Sequence, residues 1–148
     1  MKSKLIKAVI FDLDGTLLNT LEDIADCANE VILEFGIKPY PVESYRHFVG
    51  NGLQTLITRI MPEKTKKSAL DAGIERFREI YQLRWHQKTR PYPGVMEMLD
   101  SLQNTPTSIA VLSNKPDTFT RQCLHYFFPS IHFHAAAGNI TGVPLKPD

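Results

Sequence analysis

Two aspartates lie two positions apart near the beginning of the chain, where a short apolar run ends. The run covers residues 7–11 and is followed directly by Asp12, Leu13 and Asp14. In an extended segment, side chains two apart project in the same general direction. Adjacent carboxylates repel each other unless a cation, a shared proton or hydrogen-bond donors compensate their charge, so the pair predicts a site for an oxygen-preferring ion such as Mg²⁺. An ordinary turn is the alternative, because Asp and Gly are common in turns.

The elements around the aspartates predict a sheet of parallel strands. Residues 7–11 and 109–112 are short apolar runs of the kind found in strands buried on both faces, and residues 133–137 indicate a third strand. Helical periodicity follows the first two runs, over residues 17–35 and again after Pro116. Strands that alternate with helices predict a doubly wound α/β sheet. The carboxyl ends of its parallel strands meet at one edge, where ligands bind.

Between the first two strands the sequence predicts a block of helices. The pattern favours helices within residues 42–49, 53–60 and 64–87, in addition to the one over 17–35. Thr20 and Asp23 resemble a capping box at the start of the first of them. A block of this length exceeds an ordinary crossover between parallel strands, so it predicts a small inserted domain.

Composition narrows the class of protein further. The chain has 148 residues, 43% hydrophobic content and a net charge of +1, as expected for an ordinary globular protein. No apolar stretch reaches the roughly 18 residues of a membrane span, and the first residues do not form a secretory signal, which predicts a cytoplasmic location. Interspersed basic and acidic residues predict no nucleic-acid partner. Cys27 and Cys123 lie on apolar faces of separate helices and are predicted to be small buried hydrophobes.

Three motifs in order resemble those of the haloacid dehalogenase-like hydrolases. Residues 11–16, after Val9 and Ile10, resemble the first motif, Ser113-Asn114 resembles the second, and residues 146–148 resemble the start of the third. Residues 49–52, 90–95 and 113–116 together resemble the narrower family of phosphoglycolate phosphatases. The resemblance covers essentially the whole chain. It implies a Rossmann-like core of residues 1–16 and 90–148, with an α-helical cap domain of residues 17–89.

The resemblance also implies roles for individual residues. Asp12 is expected to attack phosphorus, and Asp14 is expected to be the general acid and base. The Asp12 carboxylate and the Asp14 backbone carbonyl are expected to bind Mg²⁺, and Lys146 is expected to add a positive charge. Four further residues are assigned to the substrate site: Thr16, Ser113, Asn114 and Asn51. Taken alone, Ser113-Asn114 is typical of a helix cap, Asn51 of a turn between helices, and Lys146 of a surface lysine.

One part of the family pattern is absent from this sequence. The family has a fourth motif, an acidic pair after a further strand, and one of its carboxylates completes the Mg²⁺ site, whereas this sequence ends at Asp148 in the third-motif region. We therefore expect a fragment with an incomplete core, an uncovered sheet edge and uncovered apolar helix faces. We expect it to be weakly active or inactive alone, and the full-length protein to be active.

The combined interpretation is a Mg²⁺-dependent phosphate monoester hydrolase that works through an aspartyl-phosphate and most resembles a 2-phosphoglycolate phosphatase. Its expected partner is a small phosphorylated metabolite, and it is expected to be a monomer or a homodimer. Two alternatives remain open, namely a sugar-phosphate mutase of the β-phosphoglucomutase type and a non-catalytic binding fragment. A dehalogenase is disfavoured because its chemistry does not need Asp14 together with Mg²⁺.

Overall fold

Strands and helices alternate along the part of the chain that the structure describes. The structure is a computed structural model, and it describes residues 6–148. In chain order the elements are β1 (Ala8–Phe11), β2 (Leu18–Asn19), α1 (Leu21–Glu34), a 3₁₀ turn (Val42–Ser44), α2 (Tyr45–Phe48), α3 (Gly52–Ile60), α4 (Lys67–Arg84), β3 (Arg90–Pro91), α5 (Val95–Gln103), β4 (Ser108–Pro116), α6 (Asp117–Phe127) and β5 (Ala135–Asn139).

Three of the strands form a parallel sheet in the order β1-β4-β5. β1 pairs with β4 from Ala8 opposite Ser108 to Phe11 opposite Val111. Helix α6 packs against β4 and β5, and α5 packs against β4. The structure thus confirms the α/β class, the parallel Rossmann-like sheet and the three strands that the sequence predicts.

Among the described residues, one face of this sheet is buried and the other is exposed. On β4, Ile109 and Val111 are 0% and 2% exposed, whereas Leu112 is 41% exposed. Ile10 of β1 pairs with Ala110, projects on the same side as Leu112, and is 67% exposed. The prediction of strands buried on both faces is therefore wrong for residues 6–148, because no described helix covers this side. Ile10 and Leu112 leave an exposed apolar patch on this sheet face, whereas the sequence predicts uncovered surface at a sheet edge and on helix faces.

Residues 20–89, here called the helical segment, hold α1 to α4 and lie between two short paired strands. β2 and β3 pair antiparallel at the two ends of the segment. The sequence assigns Leu17 and Leu18 to the first helix, but α1 begins at Leu21. The start is displaced because the backbone groups of these residues are used elsewhere: Tyr92 N donates to Leu17 O, and Gly15 N donates to Leu18 O. That residues 17–89 form a separate domain stays a prediction.

Asp23 of α1 binds the far end of the helical segment. Its carboxylate accepts hydrogen bonds from Lys88 N at 3.0 Å, from Thr89 N at 2.8 Å and from Thr89 Oγ1 at 2.8 Å. The side chain of Thr20, which precedes α1, makes no capping hydrogen bond. The predicted capping box is therefore wrong, because Asp23 finds stronger partners in the chain that leaves the segment.

Replacing Asp23 with alanine is expected to lower the free energy of unfolding by about 3 kcal/mol, because it leaves buried donors without an acceptor. Asp23 is 2% exposed and Thr89 is fully buried. Asp26→Ala is the matched control on the same helix. Its exposed ion pair with Lys88 predicts a change below about 1 kcal/mol. Urea unfolding of both variants measures the difference, and equal changes would contradict the role of Asp23.

The two cysteines are buried, as the sequence predicts. Cys27 and Cys123 are both 0% exposed and free. Burial raises the pKa of the Cys27 thiol to about 12 and that of the Cys123 thiol to about 11. Both thiols therefore stay protonated and pack as small apolar groups. None of the helices within residues 6–148 has the length and apolar content that a bilayer span requires.

Candidate active site

The loop after β1 presents Asp12 at the carboxyl end of the strand. Asp12 Oδ1 accepts a hydrogen bond from Leu13 N at 2.8 Å, and its side chain is 43% exposed. Leu13 is fully buried and anchors the loop. Gly15 has a φ of +77°, a left-handed conformation that side chains disfavour, and its N donates to Leu18 O. The glycine thus lets the chain turn back immediately after the two aspartates.

Lys146 lies next to the first aspartate. Its Nζ is 2.9 Å from Asp12 Oδ1 and also donates to Leu112 O at 2.7 Å. A lysine 134 positions away along the chain therefore compensates the charge of the Asp12 carboxylate. The same ammonium is available to an anionic group that approaches Asp12.

Ser113 and Asn114 follow the apolar part of β4 and complete the polar edge of the sheet. Ser113 is 4% exposed, and its Oγ accepts a hydrogen bond from Lys115 N at 3.2 Å. The Asn114 side chain accepts from Lys146 N at 2.8 Å and donates to Gly50 O of the helical segment at 3.0 Å. The motifs of Asp12 and Ser113 therefore meet, as predicted from the ends of parallel strands, and Lys146 of the third motif lies beside them.

Asp14 pairs with a second lysine, which the sequence analysis did not assign. Lys115 Nζ is 3.1 Å from Asp14 Oδ1 and 2.7 Å from the hydroxyl oxygen of Tyr81 in the helical segment. Burial is the largest single effect and works against the charged lysine, but Asp14, Tyr81 and Cys123 together outweigh it, so the pKa of Lys115 is raised above its usual value. Burial also raises the pKa of Tyr81, which therefore keeps its hydroxyl proton. The result is a buried ion pair with a neutral phenol beside it.

A cavity opens between the sheet edge and the helical segment. Its polar wall comes from the ends of β1 and β4, and its apolar wall comes mainly from α1, α3, α4 and α6. The polar wall consists of Asp12, Asp14, Ser113, Asn114 and Lys115, and the apolar wall includes Ile24, Val49, Leu53, Leu56, Phe77 and Phe119. An apolar cavity with a few convergent polar groups is a candidate site for a small ligand.

Two predicted substrate residues lie away from the wall of this cavity. Thr16 is exposed in the turn after the aspartates, where its N donates to Leu13 O. Asn51 is exposed at the start of α3, although its neighbours Gly50 and Gly52 line the cavity. Their roles in substrate binding stay predictions.

The contacts of Lys115 and Tyr81 are what sequence reasoning missed. Lys115 has the same parity along β4 as the buried residues Ile109, Val111 and Ser113, so a charge at this position needs a buried partner. That periodicity was the available signal for Lys115. Tyr81 is 1% exposed, as a packing residue would be, but its hydroxyl also contacts Lys115.

The oxygen donors at the loop suit Mg²⁺ in type. Asp12 offers a partly exposed carboxylate, and the Asp14 backbone carbonyl lies two residues on; both are hard oxygen ligands of the kind that Mg²⁺ prefers. Within residues 6–148 no three His, Cys, Asp or Glu side chains form a group that could hold a metal. The described residues thus offer Mg²⁺ two oxygen ligands, and water molecules readily supply the remaining ligands of this ion.

The parallel sheet, the aspartates at the end of its first strand and the two lysines paired with them define an α/β protein with a polar site at the carboxyl edge of its sheet. Residues 9–148 match the family model of the haloacid dehalogenase-like hydrolases. The chain belongs to this family.

Curated relatives match this chain in sequence, and a solved structure matches it in fold. The chain is 33% identical to a phosphoglycolate phosphatase of Pseudomonas fluorescens (strain Pf0-1), covering 98% of this chain and 55% of that protein. It is 31% identical to a phosphoglycolate phosphatase of Psychrobacter arcticus, covering 95% and 64%. The crystal structure of a predicted phosphoglycolate phosphatase from Haemophilus somnus 129PT superposes with a TM-score of 0.86 at 25% identity, covering 96% and 66%. The chain therefore spans little more than half the length of the curated relatives it matches.

Proposed function

We propose that the complete protein containing this sequence is a Mg²⁺-dependent phosphate monoester hydrolase that acts through an aspartyl-phosphate. The observation that carries the proposal is that Asp12, at the end of β1, lines a cavity and pairs with Lys146 at 2.9 Å. The names of the relatives support 2-phosphoglycolate as the first substrate to test.

Asp12 is the nucleophile in this proposal. An aspartate carboxylate is ionised at neutral pH and can attack without a base. Asp12 Oδ1 is engaged by Leu13 N and Lys146 Nζ, so we assign the attack on phosphorus to Oδ2. A new bond forms between this oxygen and phosphorus while the bond from phosphorus to the leaving oxygen breaks. Lys146 stabilises the negative charge that gathers at this position.

Asp14 moves the protons in both halves of the reaction. In the first half, its carboxylic acid gives a proton to the departing alkoxide. In the second half, its carboxylate takes a proton from the water that attacks phosphorus, and the bond between Asp12 and phosphorus breaks to release inorganic phosphate. Ser113 Oγ and the backbone N–H of Asn114 are assigned to the phosphoryl oxygens. The Asp12 carboxylate and the Asp14 carbonyl would hold Mg²⁺, whose positive charge would offset the repulsion between ester and nucleophile.

The deciding experiment compares the 148-residue chain with the complete protein, each with Mg²⁺ and a panel of phosphate esters that includes 2-phosphoglycolate and sugar phosphates. We expect the complete protein to release inorganic phosphate and the 148-residue chain to be weakly active or inactive. Isomerised sugar phosphate without free phosphate would support a mutase instead. No turnover of any ester by the complete protein would support a non-catalytic binding protein.

The remaining assignments follow from the same proposal. The partner is a small phosphorylated metabolite, because the cavity places the polar ends of β1 and β4 opposite an apolar wall and Lys146 adds a cation next to Asp12. We propose a cytoplasmic location, where such metabolites occur, and a monomer or a homodimer. Cell fractionation tests the location, and sedimentation of the complete protein tests the oligomeric state.

A further inference from the structure

A buried lysine connects the helical segment to the second aspartate. The side chain of Lys115 is 4% exposed, and its ammonium group contacts Asp14 on one side and the Tyr81 hydroxyl on the other. Lys115 belongs to the sheet, at the end of β4, whereas Tyr81 belongs to α4. The contact therefore spans the two walls of the cavity.

The ring of Tyr81 is fixed by two aromatic side chains of the apolar wall. The Tyr81 ring stacks on Phe77 of the same helix, with centroids 5.2 Å apart and planes inclined by 17°. It also packs edge to face against Phe119 of α6, with centroids 5.0 Å apart and an angle of 84°. Because α6 packs against the sheet, this ring sets the position of α4 relative to the polar edge.

The ammonium group of Lys115 depends on these partners. A buried cation is stable only when its charge is paired and its donors are satisfied. Lysine has three donors on a flexible stem, so a single contact does not fix its direction. With Asp14 and Tyr81 both in contact, the ammonium is held between two fixed points, and it holds the Asp14 carboxylate in turn.

We propose that Tyr81 and Lys115 are positioning residues for the acid and base step: Tyr81 directs the Lys115 ammonium, and Lys115 holds the Asp14 carboxylate where it meets the leaving oxygen. This inference rests on the proposed hydrolase function and deepens it. Its consequence is that proton transfer is efficient only while the helical segment rests against the sheet edge. Neither residue belongs to the set assigned from the three motifs.

Tyr81→Phe in the complete protein tests this role, because it removes only the hydroxyl and keeps the ring that packs on Phe77 and Phe119. The probes are phenyl phosphate and p-nitrophenyl phosphate, which are similar in shape but differ in their need for a proton on the leaving oxygen. Positioned general acids contribute about 100-fold or more, so partial misplacement is expected to lower kcat/KM for phenyl phosphate about tenfold. For p-nitrophenyl phosphate, whose leaving group departs as the anion, we expect a change within about twofold.

Tyr45→Phe is the matched control. Tyr45 is also a fully buried tyrosine of the helical segment, and its hydroxyl donates one hydrogen bond, to Asn29 Oδ1 at 2.8 Å. We expect this variant to treat both esters as the unsubstituted protein does. Thermal melting of both variants verifies that they fold.

Three other outcomes of this experiment would overturn the proposed positioning role. Equal losses of kcat/KM for the two esters in Tyr81→Phe would overturn the positioning role and leave the hydrolase function standing. Loss of folding in Tyr81→Phe but not in Tyr45→Phe would also overturn it, in favour of a purely structural contact. If the unsubstituted complete protein hydrolyses neither these two esters nor any of the panel above, the proposed function fails, and this inference fails with it.

Discussion

Asp12→Asn is expected to lower phosphate release by at least about a thousandfold, the largest effect of any single substitution in this chain, because loss of a covalent nucleophile removes a whole reaction path. An amide oxygen does not form the acyl-phosphate. Steady-state release of inorganic phosphate by the complete protein measures the loss. Intact-mass spectrometry of quenched turnover is expected to show a phosphorylated chain for the unsubstituted protein and none for the variant.

The fold is expected to tolerate this substitution. The Asp12 side chain is 43% exposed, and asparagine keeps an oxygen that accepts from Leu13 N. The free energy of unfolding should therefore change by less than about 1 kcal/mol. Asp71→Asn is the control, because it alters an exposed carboxylate of α4 that pairs with Lys67 on the same helix. Full turnover by Asp12→Asn would remove the basis of the proposed mechanism.

Removal of Mg²⁺ is expected to have the second-largest effect. A bound metal contributes several kcal/mol of charge stabilisation, so treatment of the complete protein with EDTA should lower the rate about a thousandfold. Added Mg²⁺ in excess should restore it. EDTA already saturated with Mg²⁺ is the control for effects of the chelator itself.

Binding of the ion can be measured apart from turnover. A ligand that binds only the folded state raises the melting temperature as its concentration rises. We expect Mg²⁺ to raise the melting temperature of the unsubstituted protein and to have a smaller effect on Asp12→Asn, which lacks one anionic ligand. An unchanged rate of phosphate release in EDTA, together with a melting temperature that does not change with Mg²⁺, would contradict the assignment of the metal.

The sequence predicts the polar edge of the sheet well because that edge depends on local order along the chain. Asp12 follows one apolar run and Ser113 follows another, and parallel strands bring such ends together whatever the rest of the chain does. Lys146 was found through its motif alone, since no periodicity links it to Asp12. Its contact at 2.9 Å agrees with the position that the family resemblance implies.

The errors share a physical cause, namely partners that lie far away in sequence. Asp23 resembled half of a capping box, but its acceptors are used by Lys88 and Thr89, more than 60 positions later. The pairing of Lys115 with Tyr81 likewise depends on how α4 packs on the sheet. Ile10 was predicted to be buried because apolar runs in parallel sheets usually are, and its 67% exposure depends on what packs beside it.

The antiparallel pair β2 and β3 places the entrance and the exit of the helical segment side by side, with Leu18 opposite Pro91 and Asn19 opposite Arg90. Insertions whose two ends are adjacent disturb their host little, because the gap they span is the same whatever lies between. Replacing the helical segment between β2 and β3 with a different set of helices should therefore leave Asp12, Ser113 and Lys146 in their present positions. Selection could thus reshape the pocket lining for new leaving groups while Asp12 keeps its place, provided that the new helices supply a counterpart of Tyr81 for Lys115.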